Sequence, residues 1–117
     1  MRYFIIIMFV FFIAACNHKD EIPSDIIKPK KMQLVLWDYL KADAYASEII
    51  KKDSSKNDTL ENIKLQKVIF ENYKITKEDF YKSYKYYCSH PKMMTTILDS
   101  MVAKQDKGKF STEYKFN

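Results

Sequence analysis

Glycine is almost absent: the 117-residue chain contains one, Gly108. A phosphate cradle needs several glycines where the backbone closes on an anion, so nucleotide loops of that kind are excluded. Histidine occurs only as His18 and His90, and no ligand spacing joins either to cysteines or acids, which leaves no metal centre legible. The 20 Lys and Arg against 15 Asp and Glu give a formal +5, but they are scattered rather than gathered into a stripe. That argues against nucleic acid as a partner. No strand pattern competes with helical spacing, since the mild alternation of residues 109–117 is a single stretch with nothing to pair with, and no internal repeat is present. One domain accounts for the length.

What is present begins with MRYFIIIMFVFFIAA, residues 1–15: one charge at Arg2, an apolar run, then small residues. This is the layout of an export signal. The run from Tyr3 to Ala15 falls short of the roughly twenty residues of a spanning helix. Ile13-Ala14-Ala15-Cys16 resembles a bacterial lipobox, in which the cysteine thiol is diacylated and the chain is cut before it. Cys16 then becomes a lipidated N-terminus anchored in membrane lipid, since each buried methylene contributes about 0.8 kcal/mol. A plain signal whose product happens to start with cysteine is the alternative. Loss of residues 1–15 removes Arg2 and no acid, taking the formal charge from +5 to +4. Cys88 is then the one free thiol, so no internal disulfide can form.

Lys19-Asp20-Glu21 follows directly. A lysine and acids just behind a lipidated cysteine resemble the signal that sends Bacteroidota lipoproteins to the outer face of the outer membrane. The same three charges also suit a solvated tether.

The expected fold is all-α: a small bundle of about four helices. Its divisions are a signal segment at 1–15, the lipidated N-terminus and tether at 16–28, the helical bundle at 29–107 and a flexible tail at 108–117. Ile22, Ile26 and Ile27 flank a proline and a capping pair, which suggests a turn that packs down on the domain. Pro29 opens the first helix, which runs to about Lys52 with Met32, Val35, Leu36, Tyr39, Ala42, Ala46, Ile49 and Ile50 on its buried stripe. Residues 53–57 form a loop. Asp58 with Glu61 reads as a capping box for a second helix with Leu65, Val68, Ile69 and Tyr73 inward, ending near Tyr73.

Thr76 caps a third helix, Asp79 reaches back to it, and Ile75 is placed to pack on Phe80. That helix carries Phe80, Tyr84, Tyr87 and Cys88 on one face until Pro91 breaks it at His90. Pro91 opens the fourth helix with Met94, Ile97, Leu98, Met101 and Val102 inward, and Gly108 ends it. Four such stripes can be buried only against one another.

The lipobox, Ile22-Pro23 through Met32, then Tyr73-Lys74-Ile75-Thr76 leading into Phe80-x-x-Ser83-x-x-Tyr86-Tyr87 and Pro91 together resemble the domain of unknown function 4296 family of small Bacteroidota lipoproteins. The likeness spans roughly Ile22 to Lys104. It implies an address and a shape, with no catalytic residues to carry over. Lys74 departs from the glycine expected at a left-handed helix end.

Chemistry is sparse. Cys88-Ser89-His90 is the one cluster that suggests an enzyme, but Cys88 falls near a helix C-terminus, where the dipole opposes a thiolate. A buried, inert cysteine is expected. Asp38 and Asp43 lie five residues apart on one helix and point apart, so they form no paired-carboxylate site. No catalytic residue, metal ligand or cofactor is assigned. The aromatic surplus is the remaining feature: Trp37, Tyr81 and Tyr86 are candidates for a contact surface, with a core-rim role as the alternative.

The expectation is an outer-membrane lipoprotein, held by acylated Cys16, directed by Lys19, Asp20 and Glu21, and acting as a non-enzymatic binding or accessory subunit for an envelope protein. The alternatives are a glycan- or peptidoglycan-binding module lined by Trp37 and tyrosines, and an enzyme using Cys88 or His90.

Overall fold

A computed structural model describes residues 21–50 and 52–108. Within them the chain forms helix α1 (Pro29–Tyr45), α2 (Asp58–Asn72), α3 (Lys77–Cys88) and α4 (Pro91–Asp106), and no strand. This is the small all-α bundle that the helical spacing predicts. The signal segment, Cys16, Lys19 and Asp20, and the tail from 109 to 117 lie outside the described residues.

Helix α1 is the centre, packing along both α2 and α4, while α3 closes against α4 and the end of α2. Pro29 sits at its start, where a missing N–H leaves nothing unsatisfied. Met32, Val35, Leu36 and Ala42 are buried in series. The last turn, Ala46–Ile50, widens to a π-helix. An i to i+5 turn lets Ala46 and Ile50 both reach the core and swings Ile49 out to 53% exposure, so Ile49 leaves the stripe predicted for it.

The cap of α2 is Asn57, whose side chain accepts from the Leu60 N–H at 3.0 Å. Asp58, the residue expected to cap, stands instead inside the first turn with Glu61, where both carboxylates meet the positive end of the helix. Asparagine caps as well as aspartate, and a start one residue earlier gains both charges. The buried pair of α2 is Ile69 and Phe70, whereas Val68 is exposed. The helix is turned towards Phe70 because that ring meets Phe80, with centroids 5.2 Å apart.

At the α2–α3 junction Lys74 has φ +52. The Ile75 N–H reaches the Phe70 carbonyl at 3.0 Å and the Lys74 N–H the Glu71 carbonyl at 3.1 Å, the paired bonds of a Schellman ending. The lysine therefore adopts the left-handed conformation that glycine would take more easily. Thr76 and Asp79 then form the predicted capping box, each bond 3.0 Å, and Ile75 packs on the cluster that holds Phe80.

In α3 the buried line is Phe80, Ser83 and Tyr87, not Phe80 with Tyr84 and Cys88. Ser83 decides this. Its hydroxyl accepts from the Ile27 N–H at 2.9 Å, and the Tyr87 hydroxyl donates to the Ile27 carbonyl at 2.7 Å. A small polar residue at the middle of the face lets the segment before α1 lie directly on α3. Ile26 and Ile27 are buried there, and Ile22 packs beside them.

Helix α4 buries Ile97 and Met101, with Met93 and Met94 half-buried. Leu98 and Val102, expected inward, stand exposed at 42% and 58% because no helix lies outside the α1–α4 seam to cover them. Lys104 donates to the Gln33 side-chain carbonyl at 2.7 Å, while Leu36 and Leu40 lie near Met94 and Leu98, so α4 runs antiparallel to α1. Gly108, at φ +62, turns the chain off the helix.

Candidate functional site

The aromatic residues separate into distinct neighbourhoods. Tyr39 of α1 stacks on Phe80 at 4.7 Å, and its hydroxyl pairs with that of Tyr81 at 3.1 Å. Partial burial, then the bond to Tyr81, holds the Tyr39 hydroxyl well above the usual tyrosine range. Tyr81 is 40% exposed, stands edge-on to Tyr39 and carries the Lys77 ammonium 5.8 Å from its ring centre. The patch is a rigid pair of phenols with a cation at its edge. It can offer donors, acceptors and an aromatic face.

Tyr86 lies five residues further along α3, about 140° around the axis, and so opens on another side. It is half-buried, stacked on the His90 ring at 4.1 Å. Trp37 is also half-buried, packed against the core, with the Lys41 ammonium 5.9 Å from its ring centre. Of the three aromatic candidates, Tyr81 is thus the exposed one. Glu21, the described member of the charged trio behind Cys16, is exposed.

Cys88 is exposed, contrary to the expectation that it is buried. The burial of Ser83 rotates α3 so that Tyr84 and Cys88 flank the core instead of entering it. The nearby Cys88 thiol and its hydrogen bond raise the Tyr84 hydroxyl above its ordinary value, with partial burial adding to the effect. His90 gives Cys88 no base through Nδ1, which is 2.7 Å from the Tyr86 carbonyl. A carbonyl only accepts, so Nδ1 carries the proton. His90 therefore serves as the hinge residue between α3 and α4, with no hydrogen bond to the thiol.

Asp38 and Asp43 do not converge. Buried Asp38 accepts from Tyr73 at 2.7 Å and pairs with Lys41 at 3.0 Å, whereas exposed Asp43 accepts from Asn62 at 3.0 Å. Among the described residues no group of three or more His, Cys, Asp or Glu could hold a metal ion. No described helix is long and apolar enough to cross a membrane.

The feature that sequence reasoning missed is a groove of about 480 Å³ between α1, α3 and α4. Leu36 and Leu40, Tyr84 and Cys88, and Met94 and Leu98 line it. Leu40, 46% exposed, was the available signal: a large apolar residue outside the α1 stripe.

A family model described as Domain of unknown function (DUF4296) matches residues 23–110. The match takes in the docked Ile26-Ile27 segment and all four helices. No curated protein and no solved structure matches the chain.

Proposed function

Because the chain belongs to that family of unknown function, whose description assigns no activity, we propose a role from the chain itself: a lipid-anchored, non-enzymatic binding or accessory subunit at the outer membrane. The observation that carries it is the fastening of Ile27 to Ser83 and Tyr87. Cys16 stands in a lipobox-like setting, and the chain enters the core again at Ile22. Five residues lie between them, spanning about 20 Å at full extension. An acylated Cys16 would therefore hold the bundle close to the bilayer and limit its tumbling. Such a short leash suits a subunit that meets a neighbour in the same membrane. Exposed Tyr81, with its half-buried partner Tyr39 and Lys77, is the face assigned to that neighbour, since rigid aromatic area with polar tips supports protein contacts.

Two measurements on the full chain in a Bacteroidota host test this reading. Metabolic labelling with a fatty acid should mark the wild type and not Cys16→Ala; label on both overturns the anchor. A photo-crosslinker at Tyr81 should then capture an envelope protein, while the same probe at Glu48 on exposed surface should not. Equal capture at both positions overturns the assigned face. Protease treatment of intact cells, with Lys19, Asp20 and Glu21 changed to alanine as the comparison, reports the leaflet.

A further inference from the structure

Two apolar pockets lie at opposite ends of one side of α3. The groove of about 480 Å³ takes Tyr84 and Cys88 from the end of that helix. A second pocket, of about 320 Å³, takes Lys77 from its start, with the apolar Ile63, Phe70 and Ile75 and the charged Lys67 and Glu71. Lys67 and Glu71 face each other at 3.8 Å, so Lys77 is the cation left to an incoming group.

Between the pockets α3 carries a second stripe. Lys77, Tyr81, Tyr84 and Cys88 recur at i, i+4, i+7 and i+11, which places them within about 60° of one another around the axis, beside the buried line of Phe80, Ser83 and Tyr87. From Lys77 to Cys88 the helix rises about 16 Å, or three turns. Tyr81 and Tyr84 are 40% and 41% exposed; Tyr39 of α1 meets the first, and Leu40 lines the groove with the second. The α1–α3 seam thus runs from one pocket to the other over aromatic and aliphatic side chains. Spacing of this kind is what one helix offers to another. Among the described residues no helix covers it.

Charge selects the occupant. Exposed Lys77 belongs to the stripe, and exposed Lys85 borders it one turn beyond Tyr81. Among the described residues neither pairs with a carboxylate; the ion pairs use Lys41, Lys64, Lys67 and Lys82. Glu78, the acid beside them, stands in the first turn of α3, where the positive end of the helix offsets it, and Asp43 on the α1 side accepts from Asn62. A second copy of the chain, which carries a formal +5, would bring the same lysines face to face. A helix with acids beside its apolar stripe meets both lysines instead.

We propose that the α1–α3 seam binds an acidic amphipathic helix of a partner protein. Apolar residues at heptad spacing sit in the two pockets and over Tyr81 and Tyr84, and carboxylates meet Lys77 and Lys85. Three turns of the incoming helix span the distance between the pockets. This rests on the assignment of Tyr81 to the partner face and adds the partner's chemistry.

The full chain is placed in nanodiscs of zwitterionic lipid, with empty discs as the blank. The probe is a fluorescent peptide of about three heptads, with leucine at the seam positions, glutamate beside them and alanine elsewhere. Fluorescence anisotropy should show saturable binding. A peptide with lysine for glutamate, and one with the same residues scrambled off the seam, should each bind about tenfold more weakly. Lys77→Glu with Lys85→Glu should weaken the acidic peptide by a similar factor and favour the lysine peptide. Lys56→Glu with Lys107→Glu, the same charge change away from α3, should bind like the wild type. Denaturation curves establish that both variants are folded, and the peptide exchange on the wild type needs no variant. No saturable binding, equal binding of the three peptides, or equal losses in both variants overturns the proposal. Self-association of the chain that excludes the peptide also overturns it, by placing a second copy in the seam. Capture at Tyr81 in cells is read separately: an envelope protein caught there, while the acidic peptide shows no preference, leaves the face standing and overturns the helix chemistry alone.

Discussion

The Tyr87 hydroxyl donates to the Ile27 carbonyl at 2.7 Å, across sixty residues of chain, while Ser83 one turn earlier accepts from the Ile27 N–H. One residue of the N-terminal segment thus has both of its backbone polar groups satisfied by α3 side chains inside the core. Burial pushes the Tyr87 hydroxyl up to about 12. Tyr87→Phe leaves a buried carbonyl unpaired and should cost about 1–3 kcal/mol in denaturant unfolding. Hydrogen exchange at the Ile27 amide should accelerate in Ser83→Ala. Because the raised Tyr87 value keeps the folded form neutral, its contribution is present below pH 10 and lost as pH rises towards 12. Tyr87→Phe should flatten that part of the alkaline loss; an unchanged slope would assign it to other groups.

Asp38 is a buried carboxylate held from two directions, by the Tyr73 hydroxyl at 2.7 Å and by Lys41 at 3.0 Å. The tyrosine bond joins α1 to the end of α2, whereas the lysine is three residues away on the same helix. Tyr73→Phe should therefore cost more, about 1.5–3 kcal/mol for a hydrogen bond to a charged group. Lys41→Met should cost less, because the lysine is partly in water. A double-mutant cycle of Tyr73→Phe with Asp38→Ala, which removes the acceptor, isolates the bond. Coupling near zero would show that Tyr73 acts by packing alone.

Helix number, breaks and the cap of α3 were legible because they depend on local chemistry: Pro29, Pro91, Thr76 with Asp79, and Gly108 all act within a turn of themselves, whereas the cap of α2 was read one residue late, at Asp58 instead of Asn57. Which flank of each helix is buried was less legible. Spacing allowed Phe80, Tyr84 and Cys88 as readily as Phe80, Ser83 and Tyr87. The choice was made by Ile27, more than fifty residues away, whose peptide needed a hydroxyl at Ser83. The same long-range decision turned Cys88 outward and opened the groove. Leu98 and Val102 follow the helical series faultlessly, yet periodicity reports only that a side is apolar, not that a neighbour covers it. The candidate surface was read in part: Tyr81 is exposed, but its partner Tyr39 sits on another helix and could not be found by counting along one.

Lys74 adopts φ +52 in a junction whose hydrogen bonds require the left-handed region. A side chain with a Cβ is strained there, and glycine is not. Lys74→Gly should raise stability by about 0.5–1 kcal/mol, even though glycine loses more backbone freedom on folding. Lys74→Val should lower it, since a branched Cβ tolerates positive φ worst. Chemical denaturation of the two variants beside the wild type checks the order. A destabilised glycine variant would mean that the lysine side chain supports the junction.

The Thr76–Asp79 box makes the start of α3 sensitive to acid. The Asp79 carboxylate accepts from the Thr76 N–H, and the Thr76 hydroxyl accepts from the Asp79 N–H. The bond from the Thr76 backbone, then that with its side chain, holds the Asp79 carboxyl below its ordinary 3.8. A depressed carboxyl stabilises the fold above its unfolded value and ceases to do so as pH falls through the folded one. Asp79→Ala should therefore be less stable than the wild type at neutral pH, and the gap should close below pH 3.8. Thr76→Ala, which removes the hydroxyl but leaves a charged Asp79, should cost about 1 kcal/mol near neutrality. Denaturant midpoints measured from pH 7 down to pH 3 separate the two. If the Asp79→Ala gap stays constant across that range, the carboxylate charge plays no part in the cap.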